Sequence, residues 1–362
     1  YCLSVLVLTS LITFSNIVIA NNIKSSDNTN NDKMQMMNNN TNVSYSASKE
    51  VTTNENITSG EYSSSNSDEN ALLISGEVTS EISNITVNKT GDSDGGDNTS
   101  FYGTNSAILA TSGANVTIDN IAVTTNAKGA NGVFSYGGSA TTNNSNSDGT
   151  TITISNSKIT TTKDNSGGIM TTGGGTTIAK NLEITTSGVS SAAIRSDRGG
   201  GSVNVDGGTY TTNGAGSPSI YSTANITVKN ANLISNASEG IVIEGKNSVT
   251  IENTTLTDTN NKLNGQSTTY KNIFLYQSMS GDAANGNSEF TAINSTITTN
   301  KGDTLYVTNT SSTINLNNNT IINNDSTGNF LRIQKDSWGN TGSNGGIVTL
   351  NLTNQKVNGN IV

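Results

Sequence analysis

One short phrase recurs along this chain and leaves few folds open to it. It runs apolar, any, apolar, any, Asn, any, any, apolar, often followed by two threonines. Clear copies are Val116-Thr-Ile118-Asp-Asn120-Ile-Ala-Val123, Ile152-Thr-Ile154-Ser-Asn156-Ser-Lys-Ile159 and Ile226-Thr-Val228-Lys-Asn230-Ala-Asn-Leu233. Others centre on Asn253, Asn294, Asn318 and Asn354. Asn84 and Asn181 mark weaker copies, and Gly207 takes the Asn place in one more. The ten anchors lie 36, 36, 25, 26, 23, 23, 41, 24 and 36 residues apart, so the basic step is 23 to 26 with loops inserted in the longer gaps. A step of that size suits one turn of a solenoid, whose turns bury their apolar side only by stacking on neighbours. The alternating apolar residues share one face of a strand. Asn stands where the chain must bend, because it tolerates a left-handed backbone, and stacked amides can form a ladder.

A second apolar phrase precedes most anchors by 10 to 13 residues, at Ile108, Ile169, Ile194, Ile220, Ile241 and Leu305. The Ile-Thr-Thr or Tyr-Thr-Thr runs after the anchors supply a third strand. The sequence thus predicts an all-β, right-handed parallel β-helix of about ten turns, with three short parallel sheets around a narrow core. At ~4.8 Å per turn the rod is roughly 45 Å long. Helices are a poor alternative for phrases rich in Val, Ile and Thr, and a β-sandwich does not explain the step.

Composition agrees with a thin fold and removes several functions. Hydrophobic residues make up 31% and charged residues 12%, too few of the former for a thick globular core. A net charge of −9 with 18 scattered basic residues argues against nucleic acid as partner. With no His and one Cys, zinc sites and Cys/His nucleophiles cannot be assembled. No cofactor or metal is implied.

Leu3 to Ile19 is an apolar run, with Val18 and Ala20 placed for signal peptidase, so residues 1–20 read as a signal peptide lacking its first residues. An uncleaved anchor is the alternative. Residues 21–70 read as a low-complexity polar spacer, and 71–362 as the β-helix, continuing past Val362. The predicted location is extracellular or cell-surface, with the membrane involved only through the export signal or a further anchor.

From Leu72 to Val362 these repeats resemble the right-handed parallel β-helix proteins of the pectin-lyase-like class, and especially the Asn- and Thr-rich, adhesin-like surface proteins of anaerobic gut bacteria. The resemblance implies a surface-exposed or carbohydrate-associated protein.

Candidate binding residues come from the strand before each anchor. Its outward places read Leu109, Phe134, Met170, Arg195, Tyr221, Val242, Phe274, Tyr306 and Arg332, with Tyr136 and Tyr276 beside them. Aromatic faces and Arg forks suit sugar rings and protein contacts. The competing reading is that these side chains pack on one another or lie under loops. The insertions at 137–149, 277–288 and 334–346 should project beside this stripe, and the last carries Trp338, Lys335 and Asp336. Asp197, between Arg195 and Arg198, reads as a surface ion pair, and Glu244 stands alone, so no acid pair for glycoside hydrolysis is visible. Asp92, Asp94 and Asp97 form an acidic turn more simply solvated than calcium-binding. The outward threonines 124, 160, 185, 211, 257 and 298 are ordinary strand formers before they are an ice-binding array. The Asn-x-Ser/Thr triplets, as at Asn115, Asn225, Asn253 and Asn294, follow from the repeat. The expected function is a non-catalytic stalk or binding surface for glycans or other cell-surface proteins; a polysaccharide lyase or hydrolase is the alternative.

Overall fold

The computed structural model describes residues 12–21, 43–139, 147–265, 267–278, 282–338 and 345–362. The chain is a parallel β-helix. A full turn has three strands, as in Ile108–Thr111, Asn115–Asp119 and Ala122–Thr125. The first strands of successive turns, from Ala47–Val51 to Leu331–Ile333, pair in one 11-stranded sheet. We call this sheet the first column, and the rows before and after the anchors the second and third. The second and third columns were expected to be separate sheets, yet they are joined. Gly175–Thr186 and Gly201–Thr212 run through the bend unbroken, and pairing holds on both sides of it, from Lys180↔Asp206 to Leu182↔Gly208.

Every anchor has the left-handed backbone its residue type suggests: φ lies between 46° and 55° at the nine asparagines and is 77° at Gly207. The amide ladder is real but broken. Asn120 donates to Asn84 at 2.7 Å and Asn318 to Asn294 at 2.8 Å, whereas Asn156 and Asn230 donate to Asp119 and Asp206. These side chains face water, so backbone geometry is the stronger reason for Asn at this place.

Inside the coil, equivalent residues stack from turn to turn. In the first column the row Ile108, Val133, Ile169, Ile194, Ile220, Ile241, Ile273, Leu305 and Leu331 is paired in register and buried. Each such side chain contributes about 1.5–3 kcal/mol relative to exposure. Tyr210 takes an Ile position in the third column, and its hydroxyl donates to the Gly207 carbonyl of its own bend at 3.2 Å.

One segment differs from the sequence expectation. Among the described residues the coil starts at Ala47, inside the stretch read as a spacer, and Gly60–Ser64 completes an extra turn. This turn has few apolar residues, Val51 and Ile57 in the core with Tyr62 beside it, because an end turn needs a partner on one side only. Within the apolar segment read as an export signal, Ile12–Asn21 forms a strand antiparallel to Gly346–Gln355 and covers the edge of the last turn.

Candidate ligand cleft on the outer face of the first column

The bulky row does point away from the coil axis, as its register shows: Leu73, Leu109, Phe134, Met170, Arg195, Tyr221, Val242, Phe274, Tyr306 and Arg332 follow one another across the first column. It is not the exposed stripe expected. Most of it lies beneath inserted segments, in two apolar clusters separate from the inner core. Pairing register sets which side a residue faces, but insertions elsewhere in the turn decide whether water reaches it.

The first cluster holds Leu73, Leu109, Phe134 and Met170, with Tyr45 and Tyr136 against it. Its cover is the helix Asp97–Tyr102, which follows the acidic turn. Phe101 and Tyr102 are buried, and Tyr102 meets the Tyr136 ring edge-on at 5.4 Å. Gly103 ends the helix with φ 77°, and a Cβ there would lie 2.7 Å from Leu109. The acids of the turn serve local structure: Asp92 accepts the Lys128 N–H and Asp94 the Gly96 N–H, each at 2.8 Å. Among the described residues no group of three metal-ligating side chains occurs.

The second cluster holds Val242, Phe274, Tyr276 and Tyr306, with Tyr221 and Trp338 packed on it. Phe274 stacks on Tyr276 at 4.6 Å, and Trp338 meets Tyr276 edge-on at 5.7 Å. The Trp338 indole donates to Ser267 Oγ at 2.9 Å, tying together two loops. Lys271, invisible as a special residue in the sequence, is buried with its ammonium 4.4 Å from the Phe274 ring centre and 3.5 Å from Glu239. Burial pushes its pKa down, while the Glu239 carboxylate pulls it back up. Tyr306 donates to Asp336 at 2.6 Å, and Arg332 bonds Asp303 at 2.5 Å. Phe134, Phe274 and Tyr306 are therefore packing groups, and Arg332 is tied into an ion pair.

Between the clusters the cover opens. A cleft of about 230 Å³ is bounded by Arg195, Tyr221 and Tyr276 from the first column, and by Pro218, Asn264 and Trp338 from loops. The single Pro and the single Trp of the chain meet here. Composition could have drawn attention to both, but nothing local to either links them. Asn264 was missed for the same reason.

Behind the cleft wall lies a carboxylate group that corrects the sequence reading. Asp197 is only 6% exposed, no surface residue, and bonds Arg195 at 2.7 Å. Burial raises its carboxyl to about 6 against the pull of Arg195, and Asp282 and Glu244 add to the rise. Glu244, 1% exposed, accepts hydrogen bonds from the hydroxyls of Tyr221, Tyr276 and Ser278, so it does not stand alone. Burial, followed by the Glu244 charge, holds both phenols well above their ordinary range. Arg198 pairs with Asp282 at 2.8 Å and lies 4.0 Å over the Phe101 ring, clipping the helix cover to a distant loop.

The sequence matches no protein-family model, and comparison with curated proteins and with solved structures found no significant match.

Proposed function

We propose that the protein is a non-catalytic secreted or cell-surface β-helix, a stalk that displays one small glycan-binding cleft. The observation that carries this reading is the convergence of Trp338, Tyr221 and Tyr276 with the polar groups of Arg195 and Asn264 around an open space. Flat aromatic rings match the C–H faces of sugars, and amide and guanidinium groups match their hydroxyls. Arg195, Tyr221 and Tyr276 stand on paired strands of the stack, so these three lose little freedom on binding. In an exported chain the apolar segment before Asn21 would serve as the signal, in place of the edge strand it forms in the uncleaved chain.

The test is retardation of the intact chain in native gels cast with soluble polysaccharides. The wild type should be slowed by at least one of them. Tyr221→Ala and Asn264→Ala should migrate freely with unchanged far-UV circular dichroism. Equal retardation of wild type and both variants would move the site elsewhere on the rod.

A second reading, a polysaccharide-active enzyme, is favoured by one observation: Asp197 and Glu244 are both buried on this face, with Asp197 held near pH 6. It predicts new chain ends when polysaccharide is incubated with the protein, and their loss in Asp197→Ala.

A further inference from the structure

We infer that the cleft admits an uncharged sugar residue and rejects the uronate of the same shape. This rests on the glycan reading above and adds the class of sugar. The cleft is small, below the ~300–1,000 Å³ of sites for drug-sized ligands, so it suits a single ring more than a long segment of chain.

Its polar wall is already committed to anions of the protein itself. Arg195, the guanidinium that would otherwise attract a carboxylate, donates through Nη2 to Asp197 and through Nη1 to the Ser190 carbonyl at 3.3 Å. The Tyr221 and Tyr276 hydroxyls both donate to Glu244. Arg198 is engaged by Asp282. Among the described residues these groups set two guanidiniums against three carboxylates, with Asp97 a fourth at 3.9 Å from Arg198, so their formal sum is negative once Asp197 is ionised. Burial of Asp197 and Glu244 keeps water and salt from screening that excess.

Asp197 already reports the local potential. Part of the rise in its proton affinity comes from Asp282 and Glu244, despite Arg195 in direct contact. A ligand carboxylate would add a like charge to that group. A neutral ring would instead stack on Trp338 and Tyr221 and meet Asn264 without repulsion.

Trp338 is the only tryptophan, so its emission reads occupancy of the cleft directly. The intact chain at neutral pH is titrated with matched gluco, manno and galacto oligosaccharides, each as the uronate and as the same oligomer with its carboxyls reduced to hydroxymethyl groups. We expect at least one reduced oligomer to change Trp338 emission saturably and to bind roughly tenfold tighter than its uronate. Asp197→Asn combined with Glu244→Gln should narrow that gap. A uronate that binds as tightly as its reduced partner, or more tightly, overturns the inference and leaves the glycan reading standing. No response to any member of the panel overturns both.

Discussion

Asp197→Asn probes the buried charge behind the cleft. The folded carboxyl sits at about 6 and its ordinary value is 3.8, with burial the main cause. Between these two values the folded chain keeps a proton that the unfolded chain releases. The stabilisation from this group is therefore complete below the unfolded value, is lost as pH rises through about 6, and is constant above. A shift of about 2 units corresponds to ~3 kcal/mol. The Asn variant cannot ionise and keeps an oxygen for Arg195, so it should escape this loss. Relative to wild type it should gain ~3 kcal/mol between about pH 3.5 and about pH 7.5. Urea unfolding across that range, followed by far-UV circular dichroism and Trp338 emission, measures the difference. A stability gap that stays constant within about 0.5 kcal/mol would refute the argument that Asp197 is buried against its own charge.

The outer apolar clusters and the stacking contacts make further predictions. Phe274→Ala should cost about 3–5 kcal/mol. It should also red-shift Trp338 emission, because Phe274 packs under the cover and not in the inner core; an unchanged emission spectrum would contradict that placement. Gly214→Ala puts a Cβ 1.7 Å from the Gly188 carbonyl oxygen of the turn below, so it should abolish cooperative unfolding in a urea titration. Asn294→Ala, at φ 48° and on the surface, should cost about 1 kcal/mol in the same titration. Asn294→Gly should cost less if backbone geometry, more than the hydrogen bond accepted from Asn318, selects the residue.

The repeat made the solenoid legible because its cause is local. Alternating Ile and Val residues choose a strand face, and an Asn at nine of the ten anchors, with Gly207 at the other, chooses a left-handed backbone; both act within a few residues. The same locality put Phe134, Tyr221, Phe274 and Tyr306 on the outer face of the first column. The extra turn at Ala47 escaped notice because an end turn carries too few apolar residues to show the pattern. Fusion of the second and third columns depended on pairing across turns on either side of Asn181 and Gly207.

The cleft belongs to tertiary structure. Pro218, Asn264 and Trp338 come from loops whose sequences carry no repeat, and only stacking of the turns brings them beside Arg195 and Tyr221. The carboxylates behind it likewise meet groups from far along the chain: Ser278 donates to Glu244, and Arg198 beside Asp197 joins Asp282 to Phe101 of the helix Asp97–Tyr102, on a face that the strand pattern alone leaves open. Alternation and bend residues fix direction because sterics act between neighbours in the chain. Exposure, and with it the charge state of a site, depends on what arrives from far along the sequence.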